Sequence, residues 1–170
     1  MASLVDDLLD VMAKETEGYE RLYALAEEKR AGIVKRDLEA METATSKEND
    51  VSSELKNLET KRVKILKDMS VVLGKDDETL TVTQVILLLS KQPQEQKALT
   101  DARDKLVKAA SNMQFMNTQN QILLNQAMEM VEFDLTLFKS MRQAPETANY
   151  DKNAYNTGDI LPSGGFDAKQ

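Results

Sequence analysis

The chain has 170 residues, 41% of them hydrophobic and 30% charged. That suits one folded, helix-rich domain with a true core rather than a disordered chain. It has no Cys and no His, which excludes disulfides, thiolate nucleophiles, imidazole bases, zinc clusters and the Glu-x-x-His pairs of di-metal bundles. A formal charge of −7 opposes binding to nucleic-acid phosphates or anionic membrane surfaces.

The start, Met1-Ala2-Ser3-Leu4-Val5-Asp6-Asp7, is acidic where a signal peptide is basic. The longest apolar run, Val85 to Leu89, is far short of the roughly 20 residues of a membrane span. A cytoplasmic location without membrane insertion is expected.

From Leu8 the apolar positions step by four and three through Met12, Tyr19, Leu22, Ala26 and Ile33, with Glu15 and Lys29 interrupting the seam. This heptad signature predicts a helix over 3–35 that packs lengthwise on another. Asp37 is placed as an N-cap for a second helix over 38–73. Its seam runs Met41, Ala44, Glu48, Val51, Leu55, Leu58, Arg62, Ile65, Met69 and Val72, with Gly74 as the C-terminal cap. So little chain separates the two helices that they should form an antiparallel hairpin.

A polar loop follows to Leu80. Thr81-Val82-Thr83-Gln84 reads as a capping box, with Leu80 and Val85 as its hydrophobic staple. The helix it opens, over 81–90, is apolar all round and expected to be buried. Pro93 suits the first turn of a last long helix over 93–141. Its main seam is Leu99, Leu106, Ala110, Met113, Leu124, Ala127, Val131, Leu135 and Phe138. The expected fold is an all-α, elongated antiparallel bundle, a coiled-coil hairpin of long helices with one short buried helix. Residues 1–141 form the bundle and 142–170 a flexible C-terminal tail rich in Pro and Gly.

Phe115, Ile122, Phe133 and Leu137 fall on the face of the last helix opposite its main seam, with Met130 at the border. Two readings stay open: the short helix covers this face, or it is a groove for a partner's amphipathic helix. Five methionines on the same helix (Met113, Met116, Met128, Met130 and Met141) fit core filling or an adaptable binding surface. The run Asn117-Thr118-Gln119-Asn120-Gln121 fits a polar layer that sets register or hydrogen bonds to an incoming chain. Gly74-Lys75 lacks the earlier Gly and the strand of a phosphate loop, and a serine nucleophile would have only Lys as its base. Neither an enzyme nor a cofactor is expected.

Three segments carry a family likeness. Glu20 to Lys29 leads through Asp37-Leu38-Glu39-Ala40-Met41 into a Lys/Glu-rich second helix. Asn120-Gln121-Ile122-Leu123-Leu124 opens a stretch ending at Phe133. The tail holds Tyr150-Asp151-Lys152-Asn153 and closes on Phe166-Asp167-Ala168-Lys169-Gln170. The pattern resembles the flagellar export chaperones of the FlgN type.

That resemblance implies a chaperone that binds the C-terminal helical segments of the hook–filament junction proteins FlgK and FlgL. It would keep them unassembled and deliver them to a membrane-associated export gate. Phe115, Ile122, Met130, Phe133 and Leu137 are then the expected client contacts. Tyr150, Tyr155 and Phe166 are the expected gate contacts. The competing reading is a self-associating coiled-coil scaffold without a client, and a homo-oligomer is compatible with either.

Overall fold

The computed structural model describes residues 2–74 and 80–143. All secondary structure in them is helical: α1 (Ala2–Lys35), α2 (Leu38–Val72), α3 (Val82–Leu88) with a 3-10 turn (Leu89–Lys91), and α4 (Pro93–Gln143). The chain divides into two compact units, Met1–Val131 and Glu132–Gln170. The fold is an all-α helical bundle, and the following packing concerns the first unit.

Helix α1 ends by a left-handed residue, Arg36 (φ 57°). The Arg36 amide donates to Ile33 O and the Asp37 amide to Gly32 O, at 3.1 and 2.9 Å. This is the doubled bond of a Schellman stop, which satisfies the last carbonyls of the helix. Asp37 then caps α2, its carboxylate accepting from the Ala40 amide at 3.0 Å. Two residues thus end one helix and start the next, and the hairpin folds back as expected.

α1 and α2 are the long helices whose backbones pack closely. A Cβ at Gly18 would lie 2.6 Å from Leu55 Cδ2, so glycine permits the approach at that level. Two ion pairs fix the antiparallel register: Arg62 with Glu15, and Lys29 with Glu48. The pairs stand two heptads apart on each helix, at 15 and 29 and at 48 and 62. Glu15 and Arg62 separate two apolar clusters. One gathers Val5, Leu8, Met12, Ile65 and Met69 with Leu80, Val85, Ile86, Leu89 and Leu99. The other joins Leu22, Ala26, Val51 and Leu55 to Met113 and Met116 of α4.

The Thr81 box is formed in both directions, with Thr81 Oγ1 accepting from the Gln84 amide and Gln84 Oε1 from the Thr81 amide. Leu80 and Val85 are buried beside it. α3 corrects one expectation: Val85, Ile86 and Leu89 are buried, whereas Leu87 and Leu88 are exposed. A helix of so few turns meets the core along one stripe, whatever its remaining residues are. Gly74 follows α2 at φ +69° and its amide donates to Val71 O at 3.0 Å, as a C-terminal cap should. Val72, expected on the seam, is exposed. Residues 75–79 of the polar loop and the tail from 144 lie outside the described residues.

α4 runs parallel to α1. An offset of 94 residues links Asn120 to Ala26, whose carbonyl accepts from Asn120 Nδ2 at 2.7 Å, and Met130 to Arg36, with Sδ 4.0 Å from Nη2. In this register α1 ends opposite Met130. That corrects the α4 seam, expected to pack along its whole length. Leu99 and Met113 are buried, Leu106, Ala110, Leu124 and Ala127 are half-buried, and Val131, Leu135 and Phe138 are exposed. Past Asn120 no described residue of α4 is buried.

Candidate functional site

Two features stand out: the exposed apolar side chains of α4, and a groove in the first unit.

Phe115 is 65% exposed, Ile122 46% and Met130 56%, all in the first unit. Phe133 is 69% exposed and Leu137 48%, both in the second. The short helix does not cover these residues: α3 buries its apolar stripe at the Leu99 end of α4 instead. An exposed phenylalanine leaves most of its apolar surface in water, at about 25 cal/mol per Å² that association would recover. The methionines divide, with Met113 and Met116 in the core and Met128, Met130 and Met141 exposed. Tyr150, Tyr155 and Phe166 lie outside the described residues.

The groove lies between α2 and α4, with α1 as its floor. It comprises two cavities of about 730 and 750 Å³ that share Tyr19, Leu22, Ser52 and Ala110. It stays open because the facing side chains are short or polar: Asn49 and Ser52 on α2, and Ala110, Asn117, Thr118 and Gln121 on α4. Apolar periodicity along any one helix does not reveal it. The available signal was this run of small and amide side chains beside apolar seams.

The residues that interrupt the seams, Glu15, Lys29, Glu48 and Arg62, are among the groove's polar members. Glu15 is 3% exposed. Arg62 Nε lies 3.0 Å from its Oε1 and 2.9 Å from its Oε2. Only the approach to Oε1 has hydrogen-bond geometry, while Oε2 is held in the same ion pair and is sealed from solvent. Burial pushes the Glu15 carboxyl up, and the Arg62 hydrogen bond only partly opposes it. Glu48 accepts from Lys29 Nζ at 2.8 Å through Oε2, while its Oε1 has no donor among the described residues. Asn120, 4% exposed, spends its amide N–H on Ala26 and leaves Oδ1 without a donor. Of the two readings for the 117–121 run, Asn120 fits the polar layer, while Asn117, Thr118 and Gln121 line the groove.

Among the described residues, no group of three or more acidic side chains is placed to hold a metal ion. None of the helices is long and apolar enough to cross a membrane. What the arrangement offers is surface: exposed apolar side chains on α4 and a groove between α2 and α4.

Comparison with curated proteins gives no match, and neither does comparison with solved structures. A family model described as FlgN protein matches residues 1–158, nearly the whole chain, and the chain therefore belongs to the FlgN family of flagellar export chaperones.

Proposed function

We propose that this chaperone holds the C-terminal helical segments of the hook–filament junction proteins FlgK and FlgL. It keeps them unassembled in the cytoplasm and hands them to the membrane-associated export gate. The supporting observation is the exposure of Phe115, Ile122, Met130, Phe133 and Leu137 on α4, which gives an amphipathic client helix an apolar surface to cover. A scaffold that used these residues for self-association would bury them in a symmetric interface instead. The role is binding without catalysis, and release is passed to the gate through the tail, with Tyr150, Tyr155 and Phe166 as the contacts.

Titration calorimetry with the purified C-terminal segments of FlgK and FlgL tests the client assignment. Saturable binding of at least one segment is expected. Binding of neither, together with a self-associated chaperone, would favour the scaffold.

A further inference from the structure

The chain carries nine methionines and no cysteine, so oxidation at sulfur falls on methionine. Their exposure divides sharply. Met12 and Met69 are 1% exposed, Met113 and Met116 are buried too, and Met41 is half-buried. Met128, Met130 and Met141 of α4 are 55%, 56% and 66% exposed. An oxidant in solution therefore reaches the outside of α4 first and leaves the buried sulfurs alone.

Of the three exposed sulfurs, Met130 Sδ is the one with a hydrogen-bond donor among the described residues: Arg36 Nη2, at 4.0 Å. Both residues belong to the first unit. Arg36 is also the left-handed residue between α1 and α2, and its amide takes part in the bonds that end α1. A thioether is a weak acceptor. A sulfoxide oxygen carries partial negative charge, stands one bond out from the sulfur, and makes a charge-assisted hydrogen bond with a guanidinium.

We propose that Met130 is a modification site, a reversible redox switch on the client-binding surface. Hydrogen peroxide transfers one oxygen atom to Sδ. The sulfur lone pair forms the S–O bond, the O–O bond breaks, and the proton on the transferred oxygen passes to the departing hydroxide to give water. Sulfur is oxidised by two electrons and peroxide is reduced by two. The side chain is then polar where it was apolar, and its oxygen is held by Arg36, which withdraws it from a client helix. Thiol-dependent methionine sulfoxide reductases reverse the change, the oxygen leaving as water while two thiols become a disulfide. The effect on clients rests on the reading that Met130 contacts them. The oxidation and the bond to Arg36 do not.

Peroxide treatment of the full-length chain, read by peptide mass spectrometry and hydrogen–deuterium exchange, tests the site. Met128, Met130 and Met141 should gain one oxygen well before Met12, Met69, Met113 and Met116. The α4 residues around Met130 have no burial to protect them. In the oxidised chain their amide exchange should slow by about tenfold, through the bond to Arg36. Arg36→Ala and Met130→Leu, treated in the same way, should show no slowing. Oxidation of the core methionines at the same rate would overturn the proposal. So would unchanged or faster exchange in the oxidised wild type, or equal slowing in Arg36→Ala.

Calorimetry with the FlgK and FlgL segments reads the consequence. A segment that binds the untreated chain should bind the oxidised chain about tenfold more weakly. Met130→Leu, compared with its own untreated affinity, should show no such loss. An equal loss in Met130→Leu would pass the effect to Met128 or Met141 and overturn the assignment to Met130. Binding of neither segment to the untreated chain would overturn the client reading and the switch with it, while the exchange data decide the site itself.

Discussion

Glu15 carries the clearest energetic tension among the single residues. Its folded carboxyl titrates above the ordinary 4.5, burial being the larger cause and Arg62 the smaller, opposing one. Below that ordinary value Glu15 is protonated in both states, and burial costs nothing in charge. As the pH rises the unfolded chain ionises first, so the folded state loses stability through the interval up to the raised pKa. The loss then persists at neutral pH. Glu15→Gln does not titrate. Its stability relative to wild type, from urea unfolding, should therefore increase from pH 4 to pH 7. A relative decrease over that range would mean that Arg62 outweighs burial. Asp37 makes a simpler case: as the cap of α2, its change to Ala should cost about 1 kcal/mol, read from the same unfolding curves.

At the scale of the element, α4 has two regimes in one continuous helix. Leu99 is fully buried, so Leu99→Ala should lose about 2–5 kcal/mol of stability. Phe138 is 67% exposed although both belong to the same heptad seam, and Phe138→Ala should stay within about 0.5 kcal/mol of wild type. Thermal unfolding of the two variants checks the contrast. Local features were legible in the sequence because they need only neighbours: Thr81 and Gln84 are three residues apart, and Asp37 is three from the amide it caps. The packed length of α4 was not legible. Periodicity reports which positions share a face, whereas the 94-residue offset to α1 decides that its partner ends at Met130. The same limit applies to Glu15, Lys29, Glu48 and Arg62. Their fourteen-residue spacing is plain in the sequence, but their pairing follows only from the register of the hairpin. The groove depends on α1, α2 and α4 at once, with the start of α3 at one end, and no single stretch announces it.

For the whole molecule, the family membership and the exposed apolar side chains of α4 support the same account, a protein that covers the helices of others. The tail separates that account from a static scaffold. Removing residues 142–170 should leave helix content and client binding intact and abolish delivery to the gate, seen as lost junction-protein export and motility. Full export by the truncated chain would assign delivery elsewhere. The central claim, that the apolar surface of α4 exists for a client rather than for the fold, is tested most directly by Phe133→Ala. Calorimetry against the FlgK and FlgL segments and urea unfolding would be run on the same preparation. Client binding weakened by about 2 kcal/mol or more, with folding stability nearly unchanged, is the predicted result. Unchanged client binding, or a stability loss of about 3–5 kcal/mol as for a core aromatic, would contradict it.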